Sequence, residues 1–141
     1  MTASGSATPF AWPVRVYYED TDAQGVVYYA NYFRFMERAR TEWLRALGVD
    51  QSALLNEERR MFVVTETQAE FVAPARFNDQ IIVTAGLAKL GRATFDIEQN
   101  IYLDSSDGRL LLRGAVKAAY INADTLRPVR VPALLFEDNQ S

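Results

Sequence analysis

The sequence predicts an α+β fold, an antiparallel sheet carrying one long helix on one face. Three observations predict it. Between Ala30 and Gly48 the apolar residues recur at helical spacing. From Met61 to Asn122 four β-rich segments are joined by turn and hairpin signals. Ahead of the helix, a short alternation supplies a further strand.

In chain order, residues 1–13 are small and polar, lack a basic n-region and an apolar h-region, and read as a flexible tail rather than a signal peptide. The single domain is expected over 14–138. Its first strand begins at Val14, with Val14, Val16 and Tyr18 alternating against Arg15 and Tyr17. Glu19–Gly25 is a loop by composition, and Gly25 can take a backbone angle that side chains disfavour. The helix follows, with Tyr32, Phe35, Met36, Ala39, Trp43, Ala46 and Leu47 on one face, Asn31 as N-cap and Gly48 as stop.

Residues 49–60 read as a short helical or irregular connection. Met61–Val72 is a strand ended by Ala73-Pro74, since proline cannot donate to a ladder. Asn78-Asp79 is a turn, Gln80–Leu90 a strand, and Gly91 another turn. Arg92–Asp104 places Phe95, Ile97, Ile101 and Leu103 opposite Thr94, Asp96, Glu98 and Asn100. Asp104–Gly108 signals a hairpin, Leu110–Asn122 is the last long strand, and Pro128 and Pro132 confine the remainder to turns and one helical turn.

Composition removes several kinds of chemistry. The chain of 141 residues has no cysteine and no histidine. Disulfides, thiolate nucleophiles, zinc–cysteine sites, Ser-His-Asp triads and histidine-ligated metals are all excluded. No serine stands in G-x-S-x-G. A net charge of −3 gives no basic surface for nucleic acid, and no apolar run approaches a membrane span. Any catalysis must come from carboxylates, hydroxyls and backbone dipoles.

Those are present in one place. Asp22 lies just before a helix N-terminus, where unpaired N–H groups can hold negative charge. Four roles for this loop compete. Asp20-x-Asp22-x-Gln24-Gly25 mimics the start of a calcium loop, but the twelfth position is Asn31 instead of a bidentate glutamate; no metal is expected. Asp22 as a simple helix cap is compatible with catalysis. Acyl transfer, which needs a carboxylate plus oxyanion donors, is the third. Ligand binding in the same place without turnover is the fourth. Glu37 and Glu42 precede Arg40 and Arg45 by three residues and read as helix ion pairs; Glu66 is a mid-strand carboxylate.

The run from Tyr18 to Tyr32, with Asp22-x-x-Gly25-Val26-Val27-Tyr28-x-x-x-Tyr32 and then Met36-Glu37-Arg38-Ala39-Arg40, resembles the 4-hydroxybenzoyl-CoA thioesterase family of hotdog-fold enzymes. It is most similar to the Tol-Pal-associated acyl-CoA thioesterase branch, and Phe71–Arg76 continues the likeness. The resemblance implies a hotdog fold, a sheet wrapped around the central helix, and hydrolysis of acyl-CoA thioesters.

It further implies that Asp22 acts as nucleophile or general base, that the Tyr29 amide polarises the carbonyl, and that Gly25 lets the backbone approach the acyl group. Many branch members carry histidine at the position of Tyr29; the amide survives that change, the imidazole does not. Arg92 and Arg127 match phosphate-contacting positions, Lys89 and Arg76 are further cations, and Tyr28 belongs to an aromatic neighbourhood for the acyl group. Coenzyme A is then part of the substrate, and no separate cofactor is expected. The family pairs protomers into a homodimer with active sites at the interface, often as a dimer of dimers, and a cytoplasmic enzyme is expected. Acyl-carrier-protein thioesters are the alternative substrate.

Overall fold

The computed structural model describes residues 9–136. Five strands form one antiparallel sheet in the order β1-β3-β4-β5-β2, comprising β1 (Phe10–Arg15), β2 (Arg60–Phe71), β3 (Gln80–Leu90), β4 (Thr94–Leu103) and β5 (Leu110–Asn122). Helix α1 (Tyr29–Ala46) lies against one face, and α2 (Gln51–Glu58) follows it. This is the hotdog arrangement expected from the sequence. Among the described residues, no helix is long and apolar enough to cross a membrane.

The first strand starts earlier than expected. Phe10–Pro13, assigned above to the tail, are paired with β3 from Phe10↔Ala85 to Pro13↔Ile82; residues 1–8 and 137–141 lie outside the described residues. Pro13 is tolerated because β1 is an edge strand. Conversely, Tyr18 is not in the strand: Tyr18–Asp20 is a turn of 3₁₀ helix that begins the acid loop.

Helix α1 buries Tyr32, Phe35, Met36, Ala39, Trp43 and Leu44 against the sheet. Leu44 replaces Ala46, which is exposed, on that stripe. The helix ends as expected at Gly48: its N–H reaches the Arg45 carbonyl and the Val49 N–H the Leu44 carbonyl, a Schellman motif. Its start differs. Tyr28 is the N-cap, without a side-chain cap bond, and Asn31 is already inside the first turn.

The Met36 side chain of the helix packs directly onto the sheet at Gly114. A Cβ there would stand 2.7 Å from the Gln99 carbonyl oxygen and 2.9 Å from Met36 Cε. Beside it, fully buried Gln99 donates to the Met36 and Thr84 carbonyls and accepts from Arg40 Nη1 at 3.0 Å. One side chain thus ties the helix to two strands.

Candidate active site

The acid loop is closed by its own backbone. Asp22 N–H donates to the Val26 carbonyl and Gly25 N–H to the Asp22 carbonyl. Gly25 has φ +80°, a left-handed angle that costs a residue with a Cβ about 1–2 kcal/mol. The Gln24 N–H donates to Asp22 Oδ1 at 2.9 Å. Asp22 is exposed, and no salt bridge to it is found among the described residues. Its other carboxylate oxygen has no hydrogen-bond or salt-bridge partner among the described residues.

Three sets of bonds seat this loop on the helix start and on the β2–β3 connection. Thr21 and Val26 bridge to Val27 and Arg76 respectively. Val27 N–H donates to the Ala75 carbonyl, and Phe77 N–H to that of Gly25. The Asp20 carbonyl receives Tyr28 N–H at 3.1 Å and Asn31 Nδ2 at 2.8 Å. Beneath them, the Tyr32 hydroxyl accepts the Ala75 N–H at 3.0 Å. Burial raises the Tyr32 pKa; the Ala75 bond opposes this, and the Tyr29 and Asp79 charges add to it.

Tyr29 is the first residue of α1, so its N–H has no intrahelical acceptor. None is found for it among the described residues. That amide lies at the positive end of the helix macrodipole. The Tyr29 ring stacks at a tilt on Phe71, 4.8 Å between centroids, and Tyr28 is exposed beside it. Tyr18 lies flat on Phe77 at 3.8 Å. Exposed aromatic surface therefore surrounds the loop. The cavities of about 360 and 740 Å³ lie elsewhere, lined by residues such as Arg45 and Gly48, and Phe10, Trp43 and Asn100; neither includes Asp22 or Tyr29.

Asp22, Gly25, Tyr28 and Tyr29 are brought to one junction. Lys89, Arg92 and Arg127 are not with them. The acid loop is bonded to residues 75–77, just before β3, whereas Lys89 is near the far end of that strand, about 30 Å away at the rise of a β-strand. Arg92 and Arg127 share that far end: the Arg92 carbonyl takes the Val131 N–H, and the Arg127 carbonyl the Asn122 N–H. Of the expected cations, Arg76 alone borders the acid loop.

Asn31, expected as the N-cap, is instead buried inside the first turn. The signal for it is positional: Asn31, Phe35 and Ala39 repeat every four residues on the buried stripe, so its amide needs a protein partner. Asp20 Oδ2 is likewise spent on the Tyr17 N–H. Among the described residues, no group of three or more His, Cys, Asp or Glu side chains is gathered to hold a metal.

Residues 16–137 match the model of the thioesterase-like superfamily. An acyl-CoA thioesterase from Haemophilus influenzae is 40% identical over 123 residues, covering 87% of this chain and 88% of that protein. A solved gentisyl-coenzyme A thioesterase is 28% identical with a TM-score of 0.79, covering 89% of this chain and 98% of that one. A solved 4-hydroxybenzoyl CoA thioesterase shares the fold at a TM-score of 0.85, over 93% of this chain and 98% of its own, with 21% identity.

Proposed function

The chain belongs to the thioesterase-like superfamily, and from that premise we propose that it hydrolyses acyl-CoA thioesters to the free acid and coenzyme A. Asp22 is the nucleophile or the general base, and the Tyr29 amide polarises the carbonyl. The observation that carries this is a carboxylate with one oxygen unspent, on a loop stitched to an uncapped helix N-terminus.

A thioester carbonyl is electrophilic enough that these two groups suffice. Attack by Asp22 or by the water it deprotonates puts negative charge on the carbonyl oxygen. The Tyr29 N–H and the helix dipole stabilise that charge without reorganising. Collapse of the tetrahedral species breaks the C–S bond and releases the coenzyme A thiolate, which takes up a proton; where water attacks, the free acid forms directly, and where Asp22 attacks, water then cleaves the resulting Asp22 acyl anhydride to the free acid and restores the carboxylate. Gly25 keeps the loop surface free of a side chain where the acyl group approaches. The exposed rings of Tyr28, Tyr29 and Phe71 supply apolar surface for it.

On a single protomer this surface is open, and the cations suited to the nucleotide phosphates stand at the other end of the sheet. Two copies complete it. Among the described residues nothing pairs with the outer edge of β2, which carries exposed Val64 and Phe71. Antiparallel pairing of two β2 edges carries the Arg127 end of one copy to the Asp22 end of the other. The protein is then a homodimer, or a dimer of dimers, with sites at the interface. Sedimentation equilibrium reports which; a monomer at micromolar concentration rules out this assembly.

The test of the chemistry is Asp22→Asn, assayed by release of free thiol from a panel of acyl-CoAs. It should lower kcat by about 10²-fold or more, the scale of a positioned base, with melting temperature unchanged within a few degrees. Parental activity in the variant removes Asp22 from the mechanism.

A further inference from the structure

Thioester hydrolysis as proposed needs two separate pieces of chain, the acid loop and the helix start, in a fixed relation. The side chain that connects them is Asn31. It is 9% exposed, on the same stripe as Phe35 and Ala39, in a place where an apolar residue would pack at no polar cost. Its Nδ2 donates to the Asp20 carbonyl at 2.8 Å, and the Tyr28 N–H donates to the same oxygen at 3.1 Å. Both lone pairs of that carbonyl are engaged.

Asp20 is two residues before Asp22, and its own carboxylate is held by the Tyr17 N–H. Tyr29, whose amide faces the carbonyl in the proposed reaction, stands between the two donors, Tyr28 and Asn31. The Asn31 backbone N–H closes the arrangement by bonding the Tyr28 carbonyl at 2.9 Å. Asp22 is thus referenced to the Tyr29 amide through one carbonyl and two bonds.

We infer that Asn31 is a positioning residue: its carboxamide fixes the Asp22 carboxylate relative to the oxyanion donor. This rests on the role proposed above for Asp22. Asn31→Asp keeps the side-chain shape, removes the donor and sets an anion against the Asp20 carbonyl. Asn31→Leu removes the polarity altogether.

In each variant that melts cooperatively above the assay temperature, kcat should fall about 10- to 100-fold, since displacing a reacting group by about 1 Å costs on that order. KM should stay within threefold. In the Asp22→Asn background, the same Asn31 substitution should change the residual rate by less than threefold, because no positioned carboxylate is left to displace. A merely loosened fold would lower both rates alike. Parental kcat in folded Asn31→Asp, or an equal fall in both backgrounds, overturns the positioning role while leaving Asp22 in the mechanism. Parental kcat in Asp22→Asn alone overturns the reading of Asp22, and the positioning role with it. Should Asn31→Leu fail to fold, the isosteric Asn31→Asp decides.

Discussion

Replacing Gln99 by leucine should expose how firmly the helix is keyed to the sheet. The substitution is close in volume, so the burial of a fully enclosed side chain is kept while its polar bonds are lost. Those are the charge-assisted bond from Arg40 Nη1 at 3.0 Å and the Nε2 bonds to Met36 at 3.0 Å and to Thr84 at 3.3 Å. A bond to a charged group contributes about 1.5–3 kcal/mol and a neutral one about 0.5–1.5, the longer bond counting least.

The guanidinium of Arg40 is half-buried, which lowers its pKa, with the Glu37 charge acting the other way, so water replaces the lost bond only in part. Leucine regains part of the deficit by its apolar surface, leaving a net cost of about 3 kcal/mol. For a domain of this size that lowers Tm by roughly 6–12 °C. Guanidinium melts at one protein concentration would measure it, with Arg40→Met and the double variant completing the cycle. The double variant should be more stable than the sum of the two losses predicts, by about 1–2 kcal/mol. Coupling below about 0.5 kcal/mol would refute the idea that Gln99 and Arg40 act as a pair.

Gly114→Ala should cost at least about 1–3 kcal/mol by overpacking, because the new methyl group meets a backbone oxygen at 2.7 Å and not merely the flexible end of Met36; thermal melts will show it. Gly25→Ala should cost only about 1–2 kcal/mol, from φ +80° alone, since its Cβ would meet nothing within 4 Å, and Gly25→Asn should cost less. Tyr32→Phe leaves the Ala75 N–H without its acceptor and should destabilise by about 1–3 kcal/mol near pH 7. Because burial raises the Tyr32 pKa in the fold, that group's contribution is fully present below pH ~10 and is lost as pH rises through the raised value. The gap between parent and Tyr32→Phe should therefore narrow above pH ~10 in melts taken from pH 7 to 11.

Much of the fold was legible because periodicity and turn chemistry are local. Gln80–Leu90 and Leu110–Asn122 stand where the alternation put them, and Gly48 ends the helix as a left-handed residue should. The misses share a cause, a tertiary partner outranking a local signal. Pro13 argues against a strand until the neighbour on its other side is known to be absent. Asn31 looks like a cap in isolation, yet its donor is claimed by a carbonyl eleven residues back.

The candidate site divides in the same way. Asp22, Gly25, Tyr28 and Tyr29 are contiguous enough for a motif to gather them. Lys89, Arg92 and Arg127 could be named by type, but nothing local says that an eleven-residue strand separates them from the acid.

The tight seat of Met36 on Gly114 also bears on how the protein can be redesigned. With the Met36 side chain seated where a Cβ on that glycine would stand, any side chain placed there has to displace Met36, so that flank offers no spare room. In the proposed site, room for a bulkier acyl group has to be cut from the aromatic rim, by trimming Phe71 or Tyr28. Efforts to broaden the range of accepted substrates should begin at those two rings and leave the glycine untouched.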